Sequence, residues 1–297
     1  MNWQKLRYAV SGLLRRPRQK RTCPSCGSAS YQRIDRKGFH ELLRCGRCFL
    51  LYRWPYETQE EMARFYQRTY KQAGLTTELP GPAALSDLIA TGFRASEKDF
   101  SHIVDLLETL SVSRGSRVLD FGANWGYGVW QLCQVGFSAI GYELSEPRAA
   151  YSTKLGVQVF TDWSEIQRRA PFDVVFSSHV LEHTPNPAQT LSRQLEVLSP
   201  NGWLIGSFPN GSDAFRKANP TAFHRLWGQV HPVMLNEDFI RHALPGSSTA
   251  TGAYCREDLQ ALKCWNRTTP WTGTLNTGEM LFIWTHPTLN SEHRADS

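Results

Sequence analysis

Arg117-Val-Leu-Asp-Phe-Gly-Ala-Asn-Trp-Gly-Tyr-Gly128 is the stretch from which the fold of this chain follows. Its apolar start ends in Asp120, and glycines stand at positions 122, 126 and 128. A helical stretch comes next. A second apolar run, Ala139-Ile-Gly-Tyr-Glu143, then closes on a carboxylate. The order is strand, glycine loop, helix, strand, acidic residue. Such a unit makes a crevice for a nucleoside at the carboxyl ends of parallel strands. The glycines let the backbone approach a ligand where a Cβ would collide. A carboxylate at the tip of the second strand can accept hydrogen bonds from both ribose hydroxyls.

The glycine spacing narrows the ligand. A dinucleotide fingerprint reads G-x-G-x-x-G, with its third glycine packing helix on strand. Here the pattern is D-x-G-x-x-x-G-x-G, which resembles motif I of the class I S-adenosylmethionine-dependent methyltransferases. That family commonly has a further glycine where this chain has Asn124, while Gly122, Gly126 and Gly128 keep the pattern. Taken alone, the glycines also fit an ordinary tight strand-to-helix turn. Other segments extend the resemblance in order. Gly156-Val-Gln-Val-Phe-Thr-Asp162 looks like the family's third strand, and Pro171-Phe-Asp-Val-Val-Phe-Ser-Ser-His-Val-Leu-Glu-His183 like its fourth strand and the loop after it. Leu198-Ser-Pro-Asn-Gly-Trp-Leu-Ile-Gly-Ser-Phe-Pro209 looks like the fifth.

The resemblance runs from about residue 115 to residue 210. It implies an α/β, Rossmann-like fold: a seven-stranded sheet with its last strand antiparallel and helices on both faces. It implies S-adenosyl-L-methionine as cofactor. Asp120 and Gly122 would flank the methionine portion, and Gly126 and Gly128 would pass beneath the sulfonium and ribose. Glu143 would hold the ribose hydroxyls, and Asp162 would reach the adenine amine, with Trp163 or Leu144 over the adenine face. By the same resemblance, His179 to His183 borders the cofactor and the reacting group.

Four of the seven cysteines form two pairs, Cys23-Pro-Ser-Cys26 and Cys45-Gly-Arg-Cys48. Two C-x-x-C turns at this separation fit a zinc ribbon. Four thiolates close a tetrahedron, so such a zinc is structural and not catalytic. A segment this short has too little core to fold unaided, so metal binding would supply its stability. Gly27 is expected to relieve crowding beside Cys26. Tyr31-Gln-Arg-Ile34 and Phe39-His-Glu-Leu-Leu43 flank Asp35-Arg-Lys-Gly38 as a hairpin. Disulfides or redox cysteines are the competing readings, and the paired spacing disfavours both in a reducing compartment. A zinc ribbon before a methyltransferase core resembles an arrangement found among bacterial methyltransferases that act on sugars, secondary metabolites or ribosomal RNA.

At 297 residues with 41% apolar content, the chain can bury one large core and a small appendage. No run reaches the length of a membrane span, and Lys5 and Arg7 break any signal-peptide pattern, so a cytoplasmic location is expected. The net charge of +6 is uneven, because residues 1–21 hold seven cations and no acid. That tail reads as solvated and partly disordered. The alternative is weak peripheral contact with an anionic membrane, or with nucleic acid, through a short basic amphipathic helix.

The expected organisation is a basic tail (1–21), the ribbon (22–56), a helical linker or cap (57–113), the methyltransferase domain (114–287) and a flexible tail (288–297). Thr58-Gln-Glu-Glu61 is a capping box. Gly74, Pro80, Gly81 and Pro82 read as a loop over 74–86. Phe100, Ile103, Val104, Leu107 and Leu110 share a helical face, and Asn236 is read as a helix cap. Thr249–Cys255 and Glu279–Thr285 are closing strands.

A methyl group on a sulfonium is already activated, so catalysis needs alignment, water exclusion and, for a hydroxyl acceptor, a general base. His183 and His231 are the candidates, with His224 also weighed and Glu182 placed to orient His183. Transfer to a small-molecule acceptor, by O- or C-methylation of a sugar or a secondary or cell-envelope metabolite, is the leading expectation. An RNA methyltransferase using ribbon and tail on phosphates and a non-catalytic scaffold are the alternatives. Ser177-Ser-His179 carries neither an N-P-P-Y-type motif nor a cysteine, against adenine amino methylation and against a covalent route to pyrimidine carbons.

Overall fold

The computed structural model describes residues 12–17, 19–64, 78–246 and 248–286. In chain order its strands are β1 (Tyr31–Lys37), β2 (His40–Cys45), β3 (Leu51–Trp54), β4 (Arg117–Phe121), β5 (Ser138–Tyr142) and β6 (Val159–Phe160). They continue with β7 (Phe172–Ser178), β8 (Leu198–Pro209), β9 (Val233–Met234), β10 (Thr249–Gly252), β11 (Trp271–Thr272) and β12 (Glu279–Thr285). Two sheets result. The larger has the order β11-β10-β12-β8-β7-β4-β5-β6, and the smaller β1-β2-β3-β9.

Strands β4 to β8 run parallel, and β12 runs antiparallel to β8. This is the doubly wound sheet expected from the motif order, enlarged by the two-residue edge strand β11. Both sheet faces are covered, which explains the unbroken apolar runs. Leu119, Val175, Leu204 and Phe282 enter one core cluster. Their neighbours Val118, Val174, Phe176, Ile205 and Ile283 enter another, as period-two alternation requires. Helix Ser101–Thr109 buries Ile103, Leu106 and Leu107 on the second face.

The ribbon docks on the core. Its Leu43, Leu50, Tyr52 and Trp54 belong to the first cluster. Its sheet also takes in β9 from the C-terminal half, pairing Leu51 with Met234 and Tyr52 with Val233.

Three expectations need correction. The basic segment is not simply solvated: within its described part Gly12 packs on Phe39 and His40. Arg15 pairs with Glu61, and Arg16 and Arg21 both reach Glu41. Residues 1–11 and the tail from 288 on lie outside the described residues. Helix Pro82–Ala90 begins inside the stretch read as a loop, because Pro82 sits at a first-turn position where its missing N–H costs nothing. Gly27 has open space where a Cβ would be; φ of +71° is what calls for glycine there.

Candidate active site and cysteine cluster

The loop after β4 is shaped by its glycines. Gly122 has φ +92°, and a Cβ there would stand 2.3 Å from Val180. At Gly128 a Cβ would meet Phe100 at 2.6 Å and the Asp120 carboxylate at 2.9 Å. Gly126, at φ +85°, starts helix Tyr127–Gln134. Asn124, where the family commonly has glycine, adopts φ +53°; asparagine is among the few other residues that visit this left-handed region readily. The neighbouring Trp125 is fully buried against Phe93 and Tyr151, which anchors the loop to the turn after helix Pro82–Ala90 and to helix Glu146–Tyr151.

Two carboxylates face this loop. Glu143 follows β5, and its Oε2 accepts the Asn124 N–H at 3.1 Å while Oε1 accepts that of Ser145 at 2.8 Å. Burial pushes its pKa up. Asp120 is buried as well, and burial followed by the Glu143 charge raises its pKa to about 7. Two acids held above their ordinary range, side by side, mark a place that favours a cationic ligand.

Asp162 is exposed at the end of β6 and caps helix Trp163–Arg168, accepting from the backbone N–H and the hydroxyl of Ser164 at 2.9 and 2.6 Å. Trp163 packs edge-on against Phe121 and Tyr142, with Arg193 above it. Leu144, by contrast, is 67% exposed directly after Glu143.

The loop after β7 brings histidines and acids together. His179 has φ +52°, an uncommon conformation stabilised by its N–H bond to the Ser207 carbonyl. Its Nδ1 lies 3.1 Å from Glu182 and its Nε2 3.3 Å from Glu279. Burial opposes its charge, but the two carboxylates outweigh this and raise its pKa to about 10. Glu182 is fully buried; burial works to raise its pKa, and the surrounding histidines, His183 foremost, hold it down at about 2. His183 Nδ1 bonds the Val230 carbonyl and His231 Nδ1 the Leu226 carbonyl, each at 2.8 Å. The two rings lie 5.0 Å apart. Burial lowers the pKa of His231.

Thus His179, His183 and His231, read separately from the sequence, form one patch. His224 lies elsewhere: its Nδ1 pairs with Asp35 of the ribbon at 2.7 Å. Glu279 escaped the reading, because it appears in sequence only as the first residue of an apolar strand. Its one visible signal is a carboxylate opening the run Met280-Leu-Phe-Ile-Trp284.

The four paired cysteines converge, with Cys23 and Cys48 sulfurs 3.5 Å apart and Cys26 and Cys45 sulfurs also 3.5 Å apart. All four ligand atoms lie within 4.8 Å of one another. Sulfurs about 2.3 Å from one tetrahedral zinc would be separated by about 3.8 Å, so the donor set fits. The Arg47 and Cys48 amides donate to Cys45 Sγ at 3.3 and 3.4 Å, orienting that ligand.

Among the described residues no helix is long and apolar enough to cross a membrane. A family model described as a methyltransferase domain matches residues 92–245, just over half of the chain. No curated protein matches. Among solved structures, the plantazolicin methyltransferase BpumL, in complex with a pentazolic desmethylPZN analog and SAH, aligns with a TM-score of 0.49 at 12% identity, over 77% of this chain and 100% of its own. A TehB-like SAM-dependent methyltransferase from Corynebacterium glutamicum gives 0.43 at 15% identity, covering 77% and 100%. A SAM-dependent methyltransferase from Archaeoglobus fulgidus gives 0.44 at 17%, covering 67% and 98%.

Proposed function

The chain belongs to the methyltransferase-domain family, and on that premise we propose that it methylates an oxygen or carbon of a small molecule, a sugar or a secondary or cell-envelope metabolite. The cofactor, S-adenosylmethionine, supplies an activated methyl group. The observation that carries the reading is the β4 loop, where Gly122, Gly126 and Gly128 let neighbouring side chains pack directly on the backbone and hold the turn beside two carboxylates of raised pKa.

Asp120 and Gly122 border the cationic methionine end, and ionised Asp120 is stabilised by that charge. Gly126 and Gly128 would pass beneath the sulfonium and ribose. Glu143 accepts the ribose hydroxyls, exchanging its raised pKa for two donors. Exposed Leu144 is better placed than Trp163 to cover the adenine, and Asp162 reaches the adenine amine from its capping position. His179 closes the site at the reacting end. When bound, the cofactor would supply its methyl group to the acceptor atom by displacement at the sulfonium. The acceptor's proton passes to Nε2 of His183 or His231; the Nδ1 bonds to carbonyls make Nε2 the basic nitrogen of both rings.

A small acceptor is favoured over RNA by the internal use of the cations. Arg15, Arg16 and Arg21 pair with Glu61 and Glu41, and Arg44 with Asp213 and Asp238. Phosphates would have to displace these partners. Calorimetric titration with S-adenosylmethionine tests the reading. Binding that is lost in Glu143→Ala is expected; no binding at millimolar concentrations defeats it. Turnover that falls by orders of magnitude between low and moderate salt would transfer the assignment to RNA.

A further inference from the structure

We propose that Glu182, His183 and His231 form a second metal site, separate from the four cysteines, that takes a divalent first-row transition ion at the acceptor end of the pocket. The methyl-transfer reading enters only in naming that end; the binding chemistry stands without it.

Each of the three residues brings a ligand atom, and these atoms lie within 4.8 Å of one another. His183 Nε2 stands 3.9 Å from Glu182 Oε1. Nitrogen and oxygen donors about 2.1 Å from a shared ion are separated by about 3.4 Å, so contractions of about 0.5 to 1.4 Å close the site.

The tautomers are set for it. A carbonyl can only accept, so Nδ1 of each ring carries the hydrogen it donates to Val230 or Leu226. Both Nε2 atoms are then lone-pair donors. A backbone carbonyl behind each ligating imidazole is the usual outer support of a metal ligand.

The carboxylate supplies the second, independent observation. Glu182 is fully buried, yet its Oε2 has no hydrogen-bond partner among the described residues. A buried oxygen of this kind costs about 1–3 kcal/mol or more when left unmet. The carboxylate's other oxygen, Oε1, stands 3.9 Å from His183 Nε2 and 3.1 Å from His179 Nδ1. A cation beside this carboxylate satisfies the buried charge and the imidazole lone pairs together. His179 supports the same carboxylate through Glu182 Oε1 and is itself held by Glu279.

Two imidazoles and one carboxylate select a mid-to-late transition ion over calcium or magnesium, which want oxygen. Three protein ligands leave positions open for water or an acceptor oxygen. In the ion-loaded protein His183 and His231 serve as ligands, and the free-base role belongs to the metal-free form.

Cobalt(II) is the probe. Protein carrying one zinc on its cysteines is titrated with Co2+ and followed by visible absorption and by elemental analysis. We expect one Co2+ per chain with the weak bands of nitrogen and oxygen ligands and no thiolate charge-transfer band. Glu182→Gln and His231→Ala should each weaken uptake by more than about tenfold while retaining the zinc, which reports that the chain is folded. A wild-type chain that takes up no Co2+ overturns the site, as does equal uptake by the variant that keeps its zinc. S-adenosylmethionine binding measured on the same samples reports separately on the methyl-transfer reading.

Discussion

Asp120 offers the sharpest test of the cofactor site. It is 5% exposed, and burial with the Glu143 charge raises its pKa to about 7. Unfolded aspartate titrates near about 3.9, so the ionised form costs the empty protein about 4 kcal/mol. The folded state therefore keeps a proton between about pH 4 and pH 7 that the unfolded chain has released, and apo stability falls as pH rises through that window. A cationic ligand beside Asp120 offsets the cost, so binding must expel the proton. At pH 6 about 0.9 of the carboxyl is protonated, and at pH 8 about 0.1. Wild-type protein should release nearly one proton per S-adenosylmethionine bound at pH 6 and almost none at pH 8, beyond what Asp120→Asn releases. Its affinity should rise nearly tenfold over the pH unit below 6.5, with that slope gone in the variant. Calorimetry in paired buffers of different ionisation enthalpy counts the protons. Equal release by the two proteins at pH 6 would show that Asp120 does not sense the cofactor's charge, and the electrostatic reading of the pocket would be refuted.

Gly128→Ala should destabilise the fold by about 1–3 kcal/mol in thermal or denaturant unfolding, because its Cβ would stand 2.6 Å from Phe100 and 2.9 Å from Asp120. Asn124→Gly should be nearly neutral by the same measurement, whereas Asn124→Val should cost about 1–2 kcal/mol, since φ of +53° crowds a branched side chain. Zinc removal by a chelator, or Cys45→Ser, should raise hydrogen exchange at residues 230–235 and depress methyl transfer before it depresses cofactor affinity. Asp35→Ala should cost about 1 kcal/mol in unfolding, since its carboxylate accepts from Trp227 at 2.8 Å and pairs with His224.

What was legible in the sequence was local. A strand ending in Asp120, glycines at fixed offsets and a second strand ending at Glu143 lie within one short segment, where the period of the apolar residues and the turn chemistry both speak. The capping box is equally local: Thr58 N–H donates to Glu61, and the Glu61 N–H to Thr58. The cysteine pairs announced themselves because thiolate ligands need that spacing. What stayed hidden depends on contacts between distant residues. Nothing in Val233-Met234 marks a strand, since two residues carry no period; β9 exists because β3 offers an edge. Glu279 and His179 are a hundred positions apart and meet only because β12 pairs with β8, whose Ser207 carbonyl holds His179. The basic segment misled because charge composition looks the same whether arginines face water or Glu41 and Glu61.

The position of β9 also explains why the cysteine-bearing sheet lies beside these histidines. The segment from Leu226 to Asn236 supplies His231, the two carbonyls that set the imidazole tautomers, and the wall facing Glu182. Alone it has little to hold it, since a two-residue strand lacks the pairing for independent stability. The ribbon provides the support along its length. Lys37 and Asp35 bind Trp227, the Arg53 amide donates to the Pro232 carbonyl at 2.8 Å, and Asn236 donates to the Phe49 carbonyl at 3.0 Å. Phe49 directly follows the second cysteine pair, so the fold of that knuckle reaches Asn236 through this hydrogen bond and through the adjoining β3–β9 pairing. A zinc that only stabilised an appendage would leave this segment untouched. Here the cysteine cluster sets the strand that sets the histidine, so a zinc held by the four thiols would bear on His231 as well as on the ribbon.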